Sequence, residues 1–288
     1  MFAYSGPLIV LSLVGVFAGL FDRWVLQNYG GAAEQGYYGL AAMIGSGCLL
    51  FAAAMTPLLL REFAIAWDVN DLSRMKYLFE RFVPLMYSIT SYFCCFIFIR
   101  ADDVVWLFGG NSFQDGALVV ALLAFAPMHQ TYGQLSSSIP IAIGRTVEYR
   151  NIGLGSIAIG IPLTWILIAP GTIGGKELGA AGLAIKTVGL QFLTVNIQLW
   201  LNSRLLGLNF RKLLAQQMLV PIIFSLCADV VSRLVGSIEL GRLAGFLAAG
   251  CVYTLAVLIC FIALPRTFGL ERQDIDRMRK RVAHYVSV

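Results

Sequence analysis

Residues 7–60 read PLIVLSLVGVFAGLFDRWVLQNYGGAAEQGYYGLAAMIGSGCLLFAAAMTPLLL. Hydrocarbon side chains run through this stretch with little interruption. At about 1.5 Å rise per residue, one bilayer crossing needs roughly 20 mostly apolar residues. The stretch therefore holds two helical spans, 5–27 and 35–60. Working outward, six further apolar runs are long enough to cross: 82–99, 116–139 with Pro127 near its middle, 151–170, 178–203, 213–232 and 243–265. The expected fold class is all-α, a polytopic membrane helix bundle of about eight transmembrane helices.

Composition agrees. Hydrophobic residues make up 58% of the chain and charged residues 13%, against roughly 25% charged in soluble domains. The charges are sorted by side. Fifteen Lys and Arg fall in the 2–3, 4–5 and 6–7 links and the C-terminal tail, and four fall in the opposite links (Arg100, Lys176, Arg233 and Arg242). Such a bias marks the cytoplasmic side. It predicts a multi-pass protein with both termini cytoplasmic.

Other function classes lose support. The basic residues flank spans, so the net charge of +5 does not point to nucleic acid. His129 and His284 are too few and too far apart for a metal site, and no cofactor motif appears. The six cysteines lie in apolar stretches without C-x-x-C spacing, which reads as small buried hydrophobes. No nucleophile elbow, P-loop or H-E-x-x-H is present, so no enzyme is expected. The first apolar run lacks a basic leader and a small-residue cleavage site, and reads as a span rather than a signal peptide.

Two basic amphipathic segments are expected to lie in the headgroup region. One is 71–81, with Leu72, Met75 and Phe79 on one face. The other is the tail from Leu270 to Tyr285, with Ile275, Met278, Val282 and Tyr285 in register. Trp24, Tyr29, Tyr37 and Trp106 near span ends read as an interfacial aromatic belt, and Asp229 with Arg233 as a structural i, i+4 pair.

Ionisable residues inside spans are costly and usually face the bundle interior. In the first span Ser12, Gly15, Gly19 and Asp22 share a face. In the sixth, Gly179, Gly182, Lys186, Gly189 and Asn196 share another. The fourth carries Gln130, Gln134 and Ser137 just after Pro127. Small residues permit close helix approach, and a face that is both glycine-lined and charged points inward. Other readings stand beside these. Asp22 and Arg23 form a local charge pair with Arg23 snorkelling to headgroups, or Gln130 and Gln134 serve as interhelical hydrogen-bond glue.

The stretch quoted above, with Pro7, Asp22-Arg23, Gly30 or Gly31, Gly36, Tyr38, Ala41 and Pro57, resembles the start of the second lobe of bacterial polysaccharide flippases. These are the O-antigen and lipid-linked oligosaccharide exporters of the MATE-like (MOP) superfamily. The run GAAGLAIKTVGLQFL from Gly179 resembles the Gly-rich twelfth helix of that family, with Lys186 where the family usually has a small residue. The resemblance is one of hydropathy and spacing and covers most of the chain. It implies a six-helix lobe over 1–206, two additional helices over 207–265 and a basic amphipathic tail over 266–288. Eight spans would match helices seven to fourteen, so a first lobe is missing. A fragment, a separately encoded N-terminal lobe or a homodimer would account for that, and the chain alone should not form a complete cavity.

The implied function is movement of undecaprenyl-pyrophosphate-linked oligosaccharide from the cytoplasmic to the periplasmic leaflet of the bacterial inner membrane, with membrane lipids as the other partner. The resemblance then makes Asp22, Arg23, Gln130, Gln134, Lys186 and Asn196 cavity candidates, and Arg145 and Arg150 a cytoplasmic mouth. The competing expectations are an ion-coupled drug or metabolite exporter using Asp22, and a non-transporting membrane subunit that scaffolds polysaccharide enzymes.

Overall fold

A computed structural model of the chain describes residues 2–270. Among these the ordered elements are all helical: α1 (Phe2–Gly47), α2 (Leu50–Asp68), α3 (Leu72–Ile99), α4 (Ala101–Gly109), α5 (Ala117–Leu123), α6 (Ala126–Ala142), α7 (Thr146–Ile168), α8 (Gly179–Leu206), α9 (Phe210–Gly236) and α10 (Arg242–Ala263), with short 3-10 turns between some of them. Seven of the described helices are long and apolar enough to cross a membrane. The chain is a multi-pass membrane protein with an all-α helix bundle.

The described helices depart from the eight expected spans at two places, with a third break beside the second. The first is Gly31. Helical hydrogen bonding runs almost unbroken from Phe2 to Gly47, but Gly31 has φ +81° and ψ −176°, a region essentially restricted to glycine. The chain reverses there. The Tyr4 hydroxyl donates to the Ile141 carbonyl, Asp22 meets Thr164, Glu34 accepts from the Ala180 amide, and Tyr38 bonds Thr187. The first arm thus climbs beside α7 and the second descends beside α8. The link expected over 28–34 shrinks to one residue.

The second place is Pro127. There the fourth expected span ends one helix and begins another. Pro127 has no N–H to offer the Leu123 carbonyl, so α5 stops at Leu123, and Pro127 sits in the first turn of α6, where a missing N–H costs nothing. The neighbouring second pass is also interrupted, at Cys48–Leu49 between α1 and α2. The two breaks touch: a Cβ on Gly45 would lie 3.1 Å from the Pro127 ring.

The segment 71–81 is not an interfacial helix. It is the first third of α3, which continues without a break through Pro84 to Ile99. Met75 and Phe79 are fully buried in a cluster with Phe63, Ala66 and Tyr132. An apolar face at 3–4 spacing serves a protein core as well as a headgroup layer. Asp71 caps the helix by accepting from the Arg74 amide at 2.8 Å, and Lys76 donates to the Gly207 carbonyl at 2.7 Å. The amphipathic tail proposed for 270–285 lies almost wholly outside the described residues.

The core has two centres. In one, α3 packs on α9 and α10 through Tyr87, Phe224, Tyr253 and their neighbours. The Tyr87 hydroxyl donates to the Gln217 carbonyl at 2.8 Å, and Tyr92 and Tyr253 stack at 5.0 Å. The other joins α1, α4, α5 and α8 around Val25, Leu26, Val105 and Leu183. At the end of the bundle where α3 gives way to α4, Asp103 bridges Arg100 (2.7 Å) and Arg242 (2.9 Å), and Arg242 lies over the Trp106 ring at 4.9 Å. Tyr29 packs edge-on to Trp165, and Tyr37 to Phe113, so these belt residues make specific contacts. Cys48, Cys94 and Cys95 are buried, and Cys251 is exposed.

Candidate functional site

Between the first arm of α1 and helices α6, α7 and α8 lies a cavity of about 560 Å³. Small residues make the space: Gly15 and Gly19 on α1, Gly133 on α6, and Gly153 and Gly160 on α7 all line it. Polar side chains coat it: Gln130 and Gln134 from α6, Tyr149 and Ser156 from α7, and Thr187, Gln191, Thr194 and Gln198 from α8. Among the described residues, Asp22 and Lys186 are its only charged lining side chains. Gly15, Gly19 and Ile161 are exposed and form part of its rim.

Asp22 and Lys186 meet across the cavity. Lys186 Nζ lies 2.5 Å from Asp22 Oδ2, with side chains 9% and 20% exposed. The Thr164 hydroxyl, itself buried, reaches Asp22 Oδ1 at 2.6 Å. Both carboxylate oxygens therefore have partners, as a charge withdrawn from water requires. Gly160 makes room for the lysine. A Cβ there would lie 3.4 Å from Lys186 Cε and 3.1 Å from Leu190. Lys186 stands seven residues past the start of α8 at Gly179, roughly 10 Å into the bundle at 1.5 Å per residue.

A second cavity of about 300 Å³ adjoins the first and shares Tyr149, Ile152 and Gln198 with it. It opens at the end of the bundle that carries the basic links, where Arg145 and Arg204 line it. Arg145 is paired with Glu148, which also lines the space, at 3.6 Å, and Arg204 lies 3.8 Å over the Trp200 ring. A third space of about 260 Å³, beside the paired helix breaks, shares Gln130, Thr187 and Gln191 with the main cavity. Gln191 Oε1 is buried there without a hydrogen-bond partner.

The structure thus gathers Asp22, Lys186, Gln130 and Gln134 into one cavity and sets Arg145 at its mouth. It leaves three candidates outside. Arg23 is exposed and absent from the lining, because consecutive helical residues point about 100° apart. Asp22 pairs with Lys186 rather than with its neighbour. Asn196 lies ten residues beyond Lys186, which at 100° per residue turns it about 80° away. It exchanges amide hydrogen bonds with Gln217 of α9 at 3.3 and 3.4 Å. Arg150 binds the Asn151 side chain at 2.8 and 3.1 Å and lines neither of the two cavities.

Several site residues carry a periodic signal in the sequence. Gly153, Ser156 and Gly160 of the lining and Thr164, which holds Asp22, follow 3–4–4 spacing on α7, and Thr187, Gln191, Thr194 and Gln198 on α8 follow 4–3–4. Thr194 and Ser156 join the two stripes by a 2.8 Å hydrogen bond.

Searches of the chain against protein-family models, curated proteins and solved structures return no match.

Proposed function

We propose that this chain is a transport lobe that moves a lipid-linked, diphosphate-bearing oligosaccharide from the cytoplasmic to the outer leaflet of a bacterial inner membrane. The observation that carries the reading is the path from a basic mouth, Arg145 and Arg204, through a polar cavity to a buried lysine. Cations along a hydrated path compensate a diphosphate that hydrocarbon would otherwise exclude. The amide and hydroxyl groups of Gln130, Gln134, Gln191, Ser156 and Thr194 suit sugar hydroxyls, which both donate and accept. The excess of Lys and Arg at the mouth end supports a cytoplasmic orientation for it. The outer face of α1 (Leu13, Val16, Phe17 and Leu20, all more than half exposed) would meet lipid, a first lobe or a second copy. Access would then switch by rocking of the lobes.

The test is reconstitution in proteoliposomes with a polyprenyl-diphosphate-linked N-acetylglucosamine carrying a fluorophore, read by quenching of the outer leaflet. The expected result is protein-dependent leaflet exchange that falls about tenfold or more in Lys186→Gln. Exchange no faster than in protein-free vesicles, at protein densities where crosslinking shows two copies paired, would overturn the proposal.

A second reading, an ion-coupled drug or metabolite exporter, is favoured by one feature: an intramembrane carboxylate held by a lysine and a threonine. On that reading export would depend on a proton or Na⁺ gradient, and Asp22→Asn would abolish the dependence.

A further inference from the structure

The cavity proposed to take an anion carries no net charge. Among the described residues Lys186 is its sole lining cation and Asp22 its sole lining anion, and they are in contact at 2.5 Å. A diphosphate arriving at this pair meets attraction from one member and repulsion of similar size from the other, because two opposite unit charges sit side by side in the same surroundings. As it stands the pair is a poor anion site.

Three features allow the pair to open. Asp22 has a second partner ready, since the Thr164 hydroxyl holds Oδ1 at 2.6 Å and would stay with it when Lys186 leaves. Lys186 has a flexible four-carbon stem, and beside it Gly160 offers no side chain to block movement. The free space runs from Lys186 toward the mouth, past Gln134, Ser156 and Gln198. Lys186 can therefore turn its ammonium into the cavity without a change in the helices.

We propose that the Asp22–Lys186 ion pair is the closed form of an anion site, with Asp22 as the resident counter-ion that a diphosphate headgroup must displace from Lys186. This rests on the reading of the cavity as a path for a diphosphate. It adds a threshold: only an anion that binds Lys186 better than Asp22 does can load the site. A dianion meets that condition where a singly charged phosphodiester lipid does not. The abundant phospholipids of the surrounding bilayer would be kept out by the same contact.

The experiment is calorimetric titration of the full chain in nanodiscs of neutral phosphatidylcholine. Inorganic pyrophosphate is the probe in one arm and farnesyl diphosphate in the other, so that a free and a lipid-borne diphosphate are told apart. The proteins are wild type, Asp22→Asn, Lys186→Gln and the double variant, which keeps a neutral hydrogen-bonding pair in place. Asp22→Asn is expected to bind at least one probe about tenfold or more tighter than wild type. Lys186→Gln and the double variant are expected to lose that binding. If Lys186→Gln loses binding while Asp22→Asn binds no tighter than wild type, the counter-ion role is overturned and the cavity reading survives. If wild type and Lys186→Gln bind alike, both are overturned. Should Asp22→Asn fail to fold, Thr164→Val replaces it. It keeps both charges and removes the partner that holds the displaced carboxylate, so diphosphate binding should weaken several-fold. Unchanged binding would contradict the proposal.

Discussion

The wedge of α3, α9 and α10 and the ring of α1, α6, α7 and α8 are built from nearly the same apolar vocabulary, yet one is filled and the other hollow. In the wedge, large residues face each other: Phe79, Tyr87, Phe224 and Tyr253 are fully buried, and Phe224 stacks on Phe268 at 5.3 Å. In the ring, glycines stand where the wedge has aromatics, and the space they leave is coated by amides, hydroxyls and one ion pair. Lipid tails are as apolar as leucine, so burial alone gives helices in a membrane little reason to associate, and contact shape decides. The difference between the halves is thus a difference in side-chain size at helix contacts. A stable scaffold and a path for cargo can share one bundle on those terms.

The comparison can be broken first in the wedge. Phe224→Ala removes a fully buried ring and is expected to cost about 3–5 kcal/mol, by the scale of core truncations. It should appear as an early thermal transition in detergent. Little change would mean that the wedge is not the stable half. Next is the ring. Gly160→Val places methyl groups against Leu190 and the Lys186 stem, both flexible. Leaflet exchange is expected to fall about tenfold while stability changes by roughly 1–2 kcal/mol, the lower range of overpacking. A large stability loss with transport intact would reverse the assignment of roles.

A smaller effect is expected at the mouth. The double change Arg145→Gln with Arg204→Gln should slow exchange several-fold at low salt. The gap from wild type should narrow as ionic strength rises and exposed charges are screened. Smallest is the clamp at the far end, where Arg242 is its most open member. Arg242→Ala frees Asp103 from one of two cations and should lower stability by about 1 kcal/mol or less, the range of exposed ion pairs, with exchange unaffected.

Much of this was legible before the structure. Length and hydropathy yield the apolar helices except the fourth expected span, broken at Pro127, and Gly15, Gly19 and Asp22 at 4–3 spacing identify the cavity face of α1. Gln130 and Gln134 point the same way on α6. Other features were hidden for physical reasons. Gly30-Gly31 could have opened a loop, and only backbone geometry reveals a reversal at one residue. Met75 and Phe79 form a stripe that protein and headgroups would bury equally well. In α8 two stripes compete, one through Gly182, Lys186 and Asn196 and one through Thr187, Gln191 and Gln198. Only packing decides that Lys186 joins the second stripe at the cavity while Asn196 turns to α9. The partnership of Asp22 with Lys186 spans 164 residues, and no local pattern encodes it.

The most direct test of the central claim compares water access in the two halves. Single cysteines would replace Ser156, Gln134 and Gln191 in the ring, and Ser88 and Ala228 in the wedge, in a background without the six native cysteines. Each would be labelled in intact vesicles with a charged, membrane-impermeant maleimide. The account predicts rapid labelling at the ring positions, faster with reagent on the Arg145 side, and none in the wedge. Equal protection of both sets would contradict it, because a cavity closed to water could not pass a charged headgroup.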